Sequence, residues 1–304
     1  DIENKIRLNE LKPGVKYYYR VCAQEILKNE AYHKILGNKV STPFYSFTLP
    51  SPDTEKFTMV VLNDLHEQDK VMNKLFDVVK SKGIDYDFSV FNGDCVPEPR
   101  DRAHAIRRVN ALTAAANAAE KPTIIIRGNH EIRNSYSAGM LSLTQNLGGK
   151  TYGAFSWGDT RFVILDCGED KPDTDIEYGG LTDYDAYRRE ECEWLRRAVA
   201  SKTFRNASAR VVFLHIPLDG GTWHGSNHLR NLFLPILNEA GINIMFSGHT
   251  HRYGFHPAND EVRFPVVVNG NQSYIRCDMT GDRIAIRIVG PGGRVAHTHE
   301  FPLR

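Results

Sequence analysis

Cysteine is scarce in this 304-residue chain, and the five present (Cys22, Cys95, Cys167, Cys192 and Cys277) lie far apart. No CxxC pair occurs, which removes zinc ribbons and dithiol redox centres from consideration. The thiols read as buried or free; Cys95 stands apart because it directly follows Asp94. No apolar stretch approaches the ~20 residues of a membrane span. Neither sign of charge is in excess: 38 Lys+Arg against 37 Asp+Glu leave a formal net charge of +1. The basic footprint of a nucleic-acid protein is therefore missing. Repeats and low-complexity segments are lacking, and nothing indicates an oligomeric state. The start shows no signal peptide, but Asp1 is not a natural initiator, so the chain reads as a mature or trimmed form.

What the sequence does contain is a repeated local pattern. Five short apolar runs each end on a residue able to bind a metal. Residues 59–62 lead into Asn63-Asp64-Leu65-His66, residues 88–91 into Asn92-Gly93-Asp94, and residues 124–127 into Gly128-Asn129-His130-Glu131. Residues 211–214 lead into His215, and residues 244–247 into Gly248-His249-Thr250-His251. Short β-branched or aromatic runs bounded by Gly, Asn or Asp read as buried strands. In α/β sheets the C-terminal ends of strands open onto the ligand crevice. Residues scattered over most of the chain are thus expected to converge.

The chain divides in two. Residues 8–21 carry a Leu-x-Pro-Gly turn followed by alternating Tyr, Arg and Val. That passage is similar to the corner leading into the sixth strand of fibronectin type III and immunoglobulin-like sandwiches, and residues 40–49 would form the last strand. A full sandwich takes ~100 residues, so residues 1–49 are expected to be the C-terminal part of such an all-β domain, the chain beginning inside it. A simple N-terminal hairpin packed on the main domain is the alternative. Residues 50–56, opening Pro-Ser-Pro-Asp, make a linker. From residue 57 to 304, strands alternate with helical stretches at 69–82, 100–119, 184–200 and 229–240, the last ended by Gly241. This implies an α/β domain with its sheet covered on both faces. The strand-rich tail (266–268, 273–279, 283–289) is expected to complete the sheet.

Asp64 and His66, two apart, reach one ion from a strand or from the loop after it. Asp94 follows a glycine that lets the backbone approach closely. Asn129 offers a neutral carbonyl oxygen, and His215, His249 and His251 offer imidazole nitrogens. Such a mixed set suits Zn, Mn or Fe, and neither Ca nor a structural zinc. One carboxylate bridging two ions is the usual way to build a two-metal hydrolytic site. Taken singly, each residue is an ordinary polar group finishing a strand; five in this order are not.

The set Asp64-x-His66, Gly93-Asp94, Gly128-Asn129-His130-Glu131, His215 and Gly248-His249-x-His251 resembles the calcineurin-like metallophosphoesterase superfamily over residues 57 to about 255. The resemblance implies an α/β (α+β) fold, a β-sandwich flanked by helices with a binuclear site at one edge. It implies one divalent ion on Asp64, His66, Asp94 and His251, and a second on Asp94, Asn129, His215 and His249, with Asp94 bridging. It makes Asp64 and His130 catalytic; His130 contacts the scissile phosphate without ligating metal and protonates the leaving group. The implied reaction is phosphate ester hydrolysis by a metal-bridging hydroxide.

Within the superfamily, the turn at 11–14, His215-Ile216-Pro217, Glu193-Trp194-Leu195 and residues 246–253 are similar to the purple acid phosphatase-like branch. Two positions depart from it. Pro97 stands where that branch has the tyrosine that ligates ferric iron, and His66 is present where it has none. Two divalent ions (Mn, Zn or Fe) are therefore expected rather than ferric iron. Residues 126–131 also resemble protein Ser/Thr phosphatases, but their Asp-Arg-Gly after Gly-Asp is lacking here.

Substrate contacts are expected from Trp223, His224 and His228 in the Gly-rich segment after His215, and from Arg252 and Tyr253 just past the last ligand. The acidic segment 168–183 reads as an exposed loop, and His297 and His299 as surface strand residues. The expected substrate is a small phosphate monoester. A phosphodiesterase acting on nucleotides or lipid head groups is the enzymatic rival, and a non-catalytic surface-binding module carrying a relic domain is the other. By analogy with secreted enzymes of this build, a periplasmic or secreted location is favoured.

Overall fold

The computed structural model describes residues 4–144 and 147–303. Two compact units are present, Ile6–Ser51 and Pro52–Arg304.

In the smaller unit, β1 (Lys16–Tyr19) pairs antiparallel with β4 (Tyr45–Thr48), and β2 (Cys22–Asn29) pairs with β3 (Lys34–Ser41). Tyr17 stacks on Phe47 across the first pair, ring centroids 5.7 Å apart. The single strand expected over 40–49 is divided. Val40 and Ser41 finish β3, and β4 starts only at Tyr45. Pro43, between them, has no N–H to give to a ladder.

The larger unit holds two six-stranded sheets. One runs in the order β16 (Val295–Pro302), β15 (Arg283–Val289), β14 (Tyr274–Thr280), β5 (Phe57–Leu62), β6 (Phe88–Asn92) and β7 (Thr123–Ile126). The other runs β12 (Gly254–His256), β13 (Val266–Val268), β11 (Ile244–Ser247), β10 (Ala209–Leu214), β9 (Thr160–Leu165) and β8 (Gly153–Trp157). Strand alternation sorts the side chains by face. Met59, Val61, Phe88 and Val90 of the first sheet pack with Phe162, Ile164, Val211, Phe213 and Phe246 of the second, forming the core between the sheets. Val60, Leu62 and Phe91 face the opposite way onto α1 (Asp69–Ser81), α2 (Arg102–Ala115) and α3 (Met140–Leu143). Val163, Leu165, Val212 and Leu214 face α4 (Tyr184–Ala200), α5 (Lys202–Arg205) and α6 (His224–Ala240). The result is a sheet sandwich with helices on both outer faces. The tail joins it as expected, although β13 enters the second sheet while β14 to β16 extend the first.

Helix ends follow local chemistry. Asp101 caps α2, its carboxylate accepting from His104 N at 2.7 Å, which places the start just inside the expected range. Helix α6 begins at His224, five residues before the expected 229, and carries Pro235 within it.

Phe162 sits at the centre of the inter-sheet core, fully buried, with Phe88, Phe155 and Phe213 rings 5.6, 4.8 and 6.0 Å away. Phe162→Ala should cost ~3–5 kcal/mol of stability through lost burial and the cavity left behind. Urea unfolding checks this; a shift under 1 kcal/mol would mean that the sheets slide to fill the space.

Candidate metal centre

Parallel pairing puts the C-terminal ends of β5, β6 and β7 side by side, and likewise those of β10 and β11. Hydrogen bonds tie the two sets together at one edge of the sandwich. Asn92 Nδ2 donates to Phe246 O at 3.1 Å, and His215 Nδ1 lies 2.7 Å from Asn92 O. Gly93 must be a glycine here. Its φ of +88° lies in the left-handed region, and a Cβ would collide with the His215 ring.

The backbone at this edge is strained where side chains turn inward. Asp64, His66, Asp94, His249 and His251 all have positive φ, between 41° and 70°. Non-glycine residues adopt this region rarely, and such outliers cluster at functional sites. Here the strain is held by hydrogen bonds. Asp64 N donates to Gly93 O and His66 N to Asp94 O, both at 3.0 Å. The Glu131 carboxylate accepts from the backbone N–H groups of Asp94, Cys95, Val96 and Gly128 at 2.7–2.9 Å. Burial and the Asp94 charge push the Glu131 carboxyl up to about 7.

All seven expected metal ligands meet at this edge. The ligand atoms of Asp64, His66 and His251 lie within 4.8 Å of one another, as do those of Asp94, His215 and His249. His66 Nε2 is 3.1 Å from His251 Nε2, and His251 Nε2 is 3.4 Å from Asp64 Oδ1. Asp94 Oδ2 lies 3.1 Å from His215 Nε2 and 3.7 Å from His66 Nε2, central to both groups. Asn129 Oδ1 faces His249 Nδ1 at 3.0 Å. Asp64, Asp94, Asn129 and His215 are essentially inaccessible to solvent, whereas the His251 side chain is 46% exposed, so the centre opens on one side.

The charges are strongly coupled. Burial opposes ionisation of Asp94, but adjacent His215 outweighs it and holds the carboxyl well below its usual range. Burial likewise opposes a charge on His215, yet Asp94 and Asp64 raise its pKa to about 10. His249 is lowered to about 4 by burial and by the His215 charge. Two buried atoms, Asp64 Oδ1 and His215 Nε2, have no hydrogen-bond partner among the described residues. A buried polar atom left unpaired is costly. Two such atoms pointing into a cluster of carboxylates and imidazoles fit a bound cation, and the N/O donor set fits Zn, Mn or Fe.

His130 stands beside the cluster. Its ring meets His66 edge-to-face at 4.7 Å, and its Nε2 is 4.0 Å from Asp94 Oδ2. Sequence reasoning missed the groups that set its surroundings. Arg133 Nη1 lies 3.5 Å from His130 Nε2, and Arg133 grips Glu169 with Nε at 2.8 Å and Nη2 at 3.0 Å. Glu169 Oε1 accepts from Asn129 Nδ2 at 3.3 Å, which turns the Asn129 oxygen toward His249. Glu169 lies in the acidic segment expected to be an exposed loop. That expectation fails at its start: Gly168, Glu169 and Asp170 are buried, because the Arg133 and Arg188 guanidiniums bind there. No sequence signal marks Glu169; Arg133 does carry one, standing two residues past Glu131 of the motif.

The expected substrate contacts separate. Trp223, Arg252 and Tyr253 line, with His249, Asp219 and His256, a cavity of about 450 Å³ next to the centre. His224 and His228 turn instead toward Asp185 of α4. His297 and His299 do lie on the last strand, but they pack on Tyr253: His297 stacks on its ring at 3.8 Å, and His299 Nε2 lies 2.5 Å from its hydroxyl. Cys95 is buried next to Asp94, as its position suggests.

Comparison with known proteins agrees with this geometry. Residues 57–253 match the calcineurin-like phosphoesterase family. The chain belongs to that family. A human protein named Serine/threonine-protein phosphatase CPPED1 is 23% identical over 66% of this chain and 63% of its own length. Purple acid phosphatase 22 of Arabidopsis thaliana is 24% identical over 82% of this chain and 52% of its own length. The chain thus spans roughly half to under two thirds of these relatives. Among solved structures, the purple acid phosphatase PPD1 of yellow lupin superposes with TM-score 0.69 at 13% identity, over 96% of this chain and 60% of that one. PhoD superposes with TM-score 0.61 at 15% identity, over 95% and 74%. At such identities the likeness speaks for the fold: an α/β phosphoesterase sandwich flanked by helices. Among the described residues no helix is long and apolar enough to cross a membrane.

Proposed function

We propose that this family member hydrolyses phosphate monoesters at a binuclear centre built on Asp94. The observation that carries the reading is the convergence of Asp64 Oδ1 and His215 Nε2, buried atoms that make no hydrogen bond among the described residues, on one cluster with Asp94 at its middle. Asp64, His66, Asp94 and His251 would hold one divalent ion, and Asp94, Asn129, His215 and His249 the other. Two ions there would bring the pKa of water toward ~7 and neutralise phosphoryl oxygens, most of what phosphoryl transfer asks of a protein.

The rest falls to the chain. His130, a quarter exposed at the mouth of the cluster, gives a proton to the departing oxygen. Arg133 approaches His130 Nε2 and holds Glu169, which fixes Asn129. The cavity lined by Trp223, Arg252 and Tyr253 receives the leaving group. The monoester reading gains support from relatives named as protein and acid phosphatases, since both names denote monoester hydrolysis. Pro97 has no side-chain donor atom and His66 supplies a neutral nitrogen, a combination that favours divalent over trivalent ions.

The test compares p-nitrophenyl phosphate with bis-p-nitrophenyl phosphate after chelation and reloading with Mn or Zn. The monoester should turn over at least tenfold faster, and the protein as isolated, before chelation, should be colourless. Faster diester turnover would make the enzyme a phosphodiesterase, failure on both would leave a binding module, and an intense visible band would restore a tyrosinate–iron centre.

A further inference from the structure

A second cluster of metal-ligand side chains lies away from the strand ends, where α6 meets α4. His224 and His228 are one helical turn apart near the start of α6, so both project from the same face. Asp185, in the first turn of α4, stands opposite. His224 Nε2 lies 2.9 and 3.0 Å from the two Asp185 oxygens, and His228 Nδ1 lies 3.1 Å from Asp185 Oδ1. The three donor atoms lie within 4.8 Å of one another. His228 Nδ1 is shielded from solvent and makes no hydrogen bond among the described residues, although it faces the carboxylate.

The carboxylate is itself held in place. Asp185 N donates to Asp173 Oδ2 at 2.9 Å, and fully buried Arg188 donates from Nη1 to Asp185 Oδ1 at 3.0 Å. The His224 side chain is 38% exposed, which leaves one side of the cluster open to solvent. Two imidazoles and a carboxylate suit Zn²⁺ and its neighbours and are a poor set for Ca²⁺ or Mg²⁺. Tetrahedral zinc with bonds of ~2.0–2.2 Å sets donors ~3.3 Å apart, so the two Asp185–imidazole separations need to open only slightly, with the two imidazole nitrogens already within 4.8 Å of each other and water taking the fourth position.

We propose that Asp185, His224 and His228 form a separate site for a divalent transition-metal ion, Zn²⁺ by donor preference. The ion clasps the start of α6 to α4 and so fixes the segment carrying Trp223 at the cavity beside His249. The site shares no ligand with the strand-end cluster, so it stands or falls independently of the binuclear reading.

Anomalous scattering at the zinc edge from zinc-loaded crystals locates each ion on its own. Density between the three side chains is expected, whatever the strand-end cluster shows. In solution, wild-type protein equilibrated with Zn²⁺ against a chelator should retain one equivalent more than His224→Ala/His228→Ala. Single variants should weaken that equivalent by more than the ~10–100-fold seen when a supporting partner is lost. Should the double variant not fold by circular dichroism, His224→Gln keeps the side-chain length at a half-exposed position and must show the same weakening. Absence of density at the cluster, or equal zinc retention by wild type and a folded variant, would overturn the proposal and leave an ion pair.

Discussion

Asp94→Asn is expected to remove at least one equivalent of metal and to lower kcat on p-nitrophenyl phosphate by ~10³-fold or more, in a protein that still folds. The substitution keeps the side-chain shape. Asp94 Oδ1 accepts from His130 N at 2.9 Å, and the amide oxygen can still accept there. What is lost is the charge on Oδ2, the atom 3.1 Å from His215 and 3.7 Å from His66. A neutral amide in that place bridges two cations poorly, and charge stabilisation at the transferring phosphoryl group is where most of the rate arises. The metal-free variant adds a pH signature. Burial disfavours the His215 charge and Asp94 with Asp64 favours it, to a pKa of about 10. Because this folded pKa is raised, the stabilisation from the His215–Asp94 pair is complete below the unfolded value of ~6.5 and disappears as pH rises through about 10. Asp94, held low, loses its share only in acid, below its ordinary carboxylate range. The metal-free destabilisation by Asp94→Asn should thus be largest near pH 5–6 and nearly absent at pH 10. Element analysis and thermal melts across that range check both parts. Wild-type metal content in the variant would remove Asp94 from the bridging position.

The cluster is legible in the sequence because its candidate ligands sit where strands stop. An apolar run that ends on Asp, Asn or His is written locally, and parallel pairing then carries local ends to a common edge. The pattern is permissive, however. Phe162-Val163-Ile164-Leu165 into Asp166 has the same form, and it is the strand β9, with both neighbours in its sheet. Its terminal carboxylate is buried as well, but it faces Arg127 Nη2 at 2.6 Å and joins no metal-ligand group among the described residues. Whether a strand-end carboxylate meets imidazoles or a guanidinium is decided by tertiary neighbours more than a hundred positions away for Asp64 and thirty-nine for Asp166, and periodicity carries none of that.

What stayed illegible has the same cause. Glu131 could be read as part of a motif, but not as the acceptor for four backbone N–H groups around the Asp94 loop. Glu169 looked like one more acid in a polar segment; its burial depends on Arg133 arriving from the loop after β7. The early start of α6 was hidden because Gly225, Ser226 and Asn227 read as a flexible loop by propensity. Packing overrides that weak preference: Gly225 N donates to Asp170 O at 2.7 Å, and a Cβ there would strike the Glu169 carbonyl.

His130→Ala should divide the roles that the cluster combines. Its Nε2 is 4.0 Å from Asp94 Oδ2 and 3.5 Å from Arg133 Nη1, and its Nδ1 is 3.6 Å from Glu98 Oε1, so it borders the seven expected ligands while facing the solvent side. A proton donor at that place should be worth ~10²–10⁴ in kcat, and its loss should leave metal content at the wild-type level. The size of the loss must depend on the leaving group. An alkyl phosphate departs as a strongly basic alkoxide and needs the proton, whereas p-nitrophenolate leaves unaided. The penalty of His130→Ala should therefore be at least tenfold greater on an alkyl phosphate than on p-nitrophenyl phosphate. A plot of log kcat against leaving-group pKa should be steeper for the variant than for wild type. An equal loss on every ester would assign His130 to binding the phosphoryl oxygens. Loss of a metal equivalent would make it a ligand, in keeping with its ring nitrogen lying within 4.8 Å of the His66 and Asp94 donor atoms.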